Sequence, residues 1–380
     1  MTKVCFFNTT QFWGGGEKWH FETALYFASR GHQVFCVVHP KGQLFRRLKE
    51  KPVHVLPVKV FNLSFLNPLK ILRLVNWFRS HKIQTVIFNG SSDVKLGALA
   101  ASLAGVQSLV YRRGLAVPVK NSVLNRWLYR RITHFLTNSK ATARFLFQDL
   151  VVPHAKEKTR IIYNGIDLSH FKGPVQKPPG QARDAKIVIG TAGRLEWQKG
   201  HHQLLTAACR LEAEGLNFEL LIAGEGSRRQ VLADQIQKAG LSGRVHLEGF
   251  VHDIPNFMKR IDIFAFPSLW EGFGFAAAEA MAAGRPVVAF DIHSNREVIA
   301  DGVTGLLVPP GDIEAFSGAI LRLAGEPSLR ARMGCQGRAR VAALFDKDVQ
   351  LRKLEAFLCE EVLKPEVDSR KGTSSWAEGR

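Results

Sequence analysis

Short apolar runs alternate with longer stretches whose apolar side chains recur at helical spacing, and the alternation continues through most of the 380 residues. An uninterrupted apolar run suits a strand covered on both faces, as in a parallel sheet flanked by helices. The first half predicts strands at Val4–Phe7, Gln33–Val38, Val86–Phe88, Ser108–Tyr111 and His134–Thr137. The second half predicts them at Lys186–Thr191, Phe218–Ile222, Val245–Leu247, Ile263–Phe266 and Pro286–Ala289. Helical patterns between them give an α/β chain of two successive doubly wound domains. Three prolines and two glycines break the periodicity over Phe171–Asp184. The predicted division is an N-terminal domain over 1–170, a linker over 171–185, and a C-terminal domain over 186–363 whose last helix is free to pack back on the first domain. A polar, aperiodic tail over 364–380 is expected to be flexible.

Composition fits a folded protein: 46% of residues are hydrophobic and 22% charged, which excludes wholesale disorder. The formal charge is +19, and it is unevenly spread. Residues 1–150 hold 22 Lys and Arg against 5 Asp and Glu, whereas residues 151–380 hold 30 against 28. The basic half therefore implies an anionic partner: nucleic acid, a membrane surface or a phosphorylated substrate. Cys5, Cys36, Cys209, Cys335 and Cys359 form no CxxC or Cys/His cluster, so a reducing compartment is expected and no zinc site or disulfide framework. The start runs directly into a strand pattern without a signal-peptide core, and no stretch approaches the ~18 apolar residues of a spanning helix. A soluble or peripheral protein is expected.

The densest chemistry lies in Phe266–Asp312, where a strand runs into a loop carrying Glu271-Gly272-Phe273-Gly274 and an alanine-rich helix then carries Glu279. Both carboxylates can face a ligand at the positive end of that helix, and the glycines leave backbone N–H groups open to it. Taken alone, the pair reads equally well as an ordinary acidic helix start. A second segment, Gly190-Thr191-Ala192-Gly193-Arg194-Leu195-Glu196-Trp197-Gln198-Lys199-Gly200, brings Arg194 and Lys199 to the carboxyl end of a strand. Ligands of open α/β sheets bind at that edge, and two cations there could neutralise a diphosphate; solvated loop cations are the plainer alternative. A third, Gln11-Phe12-Trp13-Gly14-Gly15-Gly16-Glu17-Lys18, joins the first strand to the first helix and lets backbone approach an anion. By itself a glycine loop is a weak signal.

The string from Glu271 through Glu279, Gly284 and Pro286-Val287-Val288 resembles the donor-site motif of GT-B glycosyltransferases of family 4, the retaining E-x7-E enzymes. Gly193-Arg194-Leu195 followed by Lys199-Gly200 resembles the pyrophosphate motif of the same family, and Gly15-Gly16 with Glu17 its N-terminal glycine loop. The resemblance implies two Rossmann-like domains facing each other across a cleft that closes to exclude water. It implies that Glu271 orients the donor sugar, that Phe273, Gly274 and Phe275 offer loop amides, and that Glu279 holds the ribose. It further implies that Arg194 and Lys199, beside Gly193, stabilise the departing diphosphate, while Gly15 and Gly16 approach donor phosphate and acceptor. Many relatives carry a histidine near the reacting carbon; here Arg113 stands in that stretch, able to bind phosphate or an anionic acceptor but a poor base at neutral pH. Relatives often have a Gly-Gly-Xaa-Pro-Glu turn where this chain has His293-Ser294-Asn295-Arg296-Glu297, so only the glutamate is kept. Asp346-Lys347-Asp348, the sole D-x-D, reads as a charge cluster at a helix start, and the resemblance implies transfer without a metal.

Val123–Leu136 places Val123, Leu124, Trp127, Leu128, Ile132, Phe135 and Leu136 beside Arg126, Arg130 and Arg131, and Leu69–Lys82 repeats the combination of aromatics and cations. Such patterns suit a helix lying on an anionic membrane, but a helix packed on a sheet also needs such a stripe, and Arg131–Thr137 also reads as the turn into a strand. Nucleic acid is not expected, since no recognisable binding module is present. The expected activity is retaining transfer of a sugar from a nucleoside-diphosphate sugar, with UDP favoured and GDP or ADP the alternatives, to a hydroxyl of an anionic or lipid-linked glycan. The expected setting is lipopolysaccharide or cell-envelope biosynthesis on the cytoplasmic face of the inner membrane, with no cofactor beyond the co-substrate. The alternatives are a nucleotide-binding protein on the same scaffold, or a transferase acting on a small phosphorylated acceptor.

Overall fold

The computed structural model describes residues 1–153, 155–173 and 186–362. The linker expected over 171–185 lies outside the described residues from 174 onward, as does the whole tail over 364–380. Two parallel sheets carry the fold. The first contains β1 (Lys3–Asn8), β2 (Gln33–Val38), β3 (His54–Pro57), β4 (Thr85–Phe88), β5 (Ser108–Arg113), β6 (His134–Thr137) and β7 (Thr159–Ile161), in the order β3-β2-β1-β4-β5-β6-β7. The second contains β8 (Ile187–Ala192), β9 (Phe218–Ala223), β10 (Val245–Gly249), β11 (Ile263–Phe266), β12 (Val287–Phe290) and β13 (Gly305–Val308), in the order β10-β9-β8-β11-β12-β13. β1 pairs in parallel with both β2 and β4, and β8 with both β9 and β11. The strand order reverses at those central strands, and their carboxyl ends are where such sheets bind ligands.

Among the described residues the chain divides into two compact units: one comprises Met1–Tyr111, Leu128–His134 and 352–362, the other Arg112–Trp127 and Phe135–Leu351. In the first, the buried rings of Phe6, Phe7, Phe27, Phe78 and Phe88 fill the core. The C-terminal segment belongs to this unit: Glu355 accepts from Tyr26 Oη at 2.8 Å, and Ser108 Oγ donates to the Val362 carbonyl at 2.7 Å. In the second, alternate residues of each strand serve opposite faces of the sheet. Ile263 and Ala265 join Leu204, Phe316 and Ile320 on one face, while Phe264 and Phe266 join Phe257, Met281 and Val341 on the other.

Polar side chains cap several of the helices that flank these sheets. Asn67 accepts from Lys70 N at 3.0 Å ahead of helix Pro68–His81, with proline in the first turn where no N–H is needed. Ser139 accepts from Thr142 N at 2.9 Å to start helix Lys140–Asp149, and Asp312 accepts from Ala315 N at 2.8 Å to start Ile313–Gly325. Among the described residues no helix is long and apolar enough to cross a membrane.

Two sequence expectations change. All ten predicted strands form, but β3, β7 and β13 are additional, and each is an edge strand. β3 and β7 are little buried and carry a weak apolar signal, as edge strands can, whereas β13 is largely buried but only four residues long. The stripe read over Val123–Leu136 is not one helix face: the helix spans Val123–Tyr129, and Phe135 and Leu136 point their side chains into the core from β6. Val123, Leu124 and Trp127 remain exposed at the start of that helix.

Candidate functional site

The carboxyl edge of the second sheet gathers the motif residues. β8 delivers Gly193 and the exposed Arg194, a 3-10 turn covers Trp197–Lys199, and helix His201–Ala213 follows. From the loop after β11, Glu271 accepts from Lys199 Nζ at 2.5 Å. Their side chains are only 10% and 17% exposed, so this is a largely desolvated ion pair rather than a screened surface contact. The Lys199 ammonium also lies 5.6 Å from the centre of the Phe266 ring. Gln198 joins the same loops, donating from Nε2 to the Trp270 carbonyl at 2.7 Å and accepting from Leu269 N at 2.9 Å. Glu196 binds Ser227 through its backbone N–H and hydroxyl at 3.1 and 2.9 Å, hydrogen bonds that lower the carboxyl pKa. The loops after β8, β9 and β11 are thereby tied into one rim carrying two cations, Arg194 and Lys199, and two carboxylates, Glu196 and Glu271.

Beneath this rim His201 is buried, and its Nδ1 has no hydrogen bond among the described residues. Burial, reinforced by Lys199 and His202, lowers its pKa to about 4. An unfolded-chain imidazole titrates near ~6.5, so unfolding takes up a proton between those values. The His201 contribution to stability is therefore lost as pH falls from about 6.5 to about 4, by up to ~3 kcal/mol. His201→Gln is expected to flatten the fall in melting temperature across that window, and equal slopes for both proteins would remove His201 from the account.

Helix Phe275–Ala282 begins at Gly274, whose φ of +91° is the left-handed conformation that favours glycine. Its first-turn N–H groups supply donors at the rim, and half-buried Glu279 follows in the second turn. The ring of Phe273 is buried against Tyr163 and Phe345, which leaves only its backbone to face the rim. Phe275 is half-buried beside it. The loop is held from behind: Thr142 Oγ1 donates to the Gly272 carbonyl at 3.3 Å, and the Gly114 carbonyl fills the space where a side chain on Gly272 would stand.

Arg113 uses its guanidinium to hold its own loop, donating to the Leu115 carbonyl at 3.1 Å and the Val117 carbonyl at 3.0 Å. Its neighbour Arg112 is buried and donates to Asn164 Oδ1 at 3.0 Å. Glu297, the residue kept from the family turn, accepts from Lys140 N at 2.8 Å, Ala141 N at 2.7 Å and Tyr163 Oη at 3.1 Å. It is thus the anion at the start of helix Lys140–Asp149, and burial together with Glu297 pushes the Tyr163 phenol up to about 12. His293 is exposed and packs edge-on against Phe145. Asp346 accepts from Val349 N at 2.9 Å as a helix start, and Lys347 pairs with Asp167. Among the described residues no group of three or more His, Cys, Asp or Glu could hold a metal ion.

In the first unit, Gly14 precedes helix Gly15–Ser29 and its carbonyl accepts from Lys18 N at 2.9 Å. Sequence reasoning missed what supports this loop. Asp93 is buried and accepts from Thr9 Oγ1 at 2.5 Å, Thr9 N at 3.3 Å and Gly90 N at 2.9 Å. Burial raises its pKa to about 6 against those hydrogen bonds. Glu17 is also buried and accepts from Asn8 Nδ2 at 3.3 Å and Asn89 Nδ2 at 3.4 Å. Polar residues ending two apolar strands, Asn8-Thr9 and Asn89, were the available signal.

The family described as Glycosyltransferase Family 4 matches residues 13–170, and Glycosyl transferases group 1 matches residues 174–340. The lipopolysaccharide core biosynthesis mannosyltransferase LpsB of Rhizobium meliloti (strain 1021) is 28% identical over 61% of this chain and 67% of its own length. The UDP-Gal:alpha-D-GlcNAc-diphosphoundecaprenol alpha-1,3-galactosyltransferase of Escherichia coli is 28% identical over 72% of this chain and 75% of its own. Among solved structures, Anabaena Alr3699/HepE in complex with UDP and glucose covers 95% of this chain and 100% of its own, with a TM-score of 0.78 at 24% identity, a likeness of fold.

Proposed function

The chain belongs to glycosyltransferase family 4, and from that premise we propose that it transfers a sugar, with retention of configuration, from a nucleoside-diphosphate sugar to a glycan hydroxyl. The observation that carries the reading is the desolvated Lys199–Glu271 pair at the carboxyl edge of β8 and β11. A fixed ammonium in a poorly solvated rim interacts strongly with charge that grows on a leaving diphosphate. Arg194, exposed at the same edge, supplies a second cation. Glu271 accepts a donor-sugar hydroxyl with the oxygen Lys199 leaves free, Glu279 takes the ribose, and the amides of Phe273, Gly274 and Phe275 meet sugar or phosphate. Gly15 and Gly16 offer backbone N–H groups to an anionic group at their helix start.

In the reaction, the bond from the anomeric carbon to the diphosphate oxygen breaks and the acceptor oxygen bonds on the same face. The acceptor proton passes to the departing phosphate oxygen, so no side-chain base is required. A UDP-sugar is the favoured donor, supported by the donor in the E. coli relative's name and by the UDP of the Anabaena complex. A lipid-linked envelope glycan is the favoured acceptor, supported by the diphosphoundecaprenol in that relative's name and by the lipopolysaccharide role of the Rhizobium one. Such an acceptor would bring the protein to the cytoplasmic face of the membrane.

Thermal unfolding with UDP, GDP and ADP tests the donor, and proton NMR of the product's anomeric signal tests the stereochemistry. UDP is expected to raise the melting temperature most. Product of inverted configuration would overturn the retaining mechanism.

A further inference from the structure

Soluble proteins rarely expose contiguous large apolar side chains without a use for them. In the first unit, Phe61, Leu63, Leu66, Leu69 and Leu72 are 53%, 69%, 66%, 76% and 56% exposed, five within twelve consecutive residues. The segment is rigidly built. Ser64 Oγ accepts from Phe61 N at 2.9 Å, Asn67 caps the helix, and Lys70 Nζ donates to the Lys59 carbonyl at 2.8 Å and Ser64 Oγ at 3.3 Å. Helix Pro68–His81 is anchored by buried Leu74, Val75 and Phe78, which leaves Leu69 and Leu72 facing outward. The outward leucines are therefore fixed by the fold, as knobs on a supported loop and helix start.

Charge decides what meets them. From Lys41 to Lys82 the sequence holds ten Lys and Arg, with Glu50 as the sole acid. The ammonium groups of Lys59 and Lys70 lie 5.1 and 5.7 Å from the centre of the Phe61 ring, so cations border the apolar residues directly. A second copy of this face would bring like charges together, which disfavours self-association. Nucleic acid would satisfy the cations but give leucines nothing to contact. Apolar side chains that enter an acyl layer, rimmed by cations that stay among anionic headgroups, match an anionic lipid surface.

We propose that Lys59–Arg73 is the surface by which this protein docks on an anionic phospholipid bilayer. The assignment rests on the reading of a membrane-borne acceptor, and of the two stretches singled out in the sequence it takes the start of Leu69–Lys82, extended back to Phe61, rather than Arg126, Arg130 and Arg131. Lys59 and Arg73, both exposed, provide the adjustable charge, while Lys70 also holds the loop together.

The test is sedimentation of the full chain with vesicles of phosphatidylcholine alone and of phosphatidylcholine mixed with phosphatidylglycerol. Wild type is expected to bind the mixed vesicles, more weakly as salt rises, and to leave the neutral ones largely unbound. L69Q/L72Q and K59Q/R73Q should each weaken binding by about tenfold or more. Vesicle binding unchanged in both variants overturns the assignment, as does a patch-dependent dimer that binds no vesicles. The rise in melting temperature produced by UDP is read in parallel and should be equal in wild type and both variants. Loss of that rise in the wild type, with vesicle binding intact, would overturn the donor reading and leave the docking surface standing.

Discussion

Lys199→Ala is expected to lower kcat by about 10²–10³, the usual consequence of removing a preorganised group that stabilises transition-state charge. The same substitution strands Glu271 as a buried carboxylate without its ammonium, so a loss of stability accompanies it. These two effects separate in a second variant. Lys199→Met with Glu271→Gln removes both charges and should recover most of the lost melting temperature, because the uncompensated carboxylate is gone. It should recover none of the turnover. Steady-state kinetics and thermal unfolding of the three proteins check this. Turnover returning together with stability would reduce the pair to a structural ion pair.

Gly224→Ala carries the largest expected effect on stability. Gly224 has φ of +150°, and a Cβ there would stand 1.8 Å from the Gly193 carbonyl oxygen, a backbone atom that cannot swing aside. The ends of β8, β9 and β10 are stitched at this point, with Gly193 N donating to the Ala223 carbonyl at 2.9 Å and Gly224 N to the Gly249 carbonyl at 2.7 Å. A shift of Gly193 would also disturb Lys199, whose stem packs over it. Backbone strain and overpacking together are expected to cost about 2–5 kcal/mol in urea unfolding. Gly243→Ala is the matched control, since a Cβ there meets nothing within 4 Å, and its effect should be small. Similar losses at both positions would contradict the close-approach explanation.

Much of this architecture is legible in sequence because parallel sheets are buried on both faces. β1, β2, β8 and β9 are apolar nearly throughout and stand out. β3, with the sequence His-Val-Leu-Pro, and β7, with Thr-Arg-Ile, lie at sheet edges and carry too little apolar signal. Glu271 and Lys199 could be found singly from their motifs. Their pairing could not, since it spans 72 residues and depends on how two loops meet. The buried Asp93 was hidden for the same reason: its partner Thr9 lies 84 residues away. Leu69 and Leu72 mislead in the opposite direction. Their helix reads as amphipathic, but the buried face is Leu74, Val75 and Phe78, and only packing reveals which leucines are left outside.

The central assignment, transfer from a nucleotide sugar at the Lys199–Glu271 rim, is tested most directly by coupled product measurement. Purified protein is incubated with UDP-glucose or UDP-galactose and a polyprenyl-diphosphate-linked sugar, and released UDP is quantified beside the extended glycan. UDP and extended glycan formed in equal amounts, both lost in Lys199→Ala, is the predicted result. Stabilisation by UDP with no extended glycan from these or from GDP- and ADP-sugars would contradict it and leave a nucleotide-binding protein.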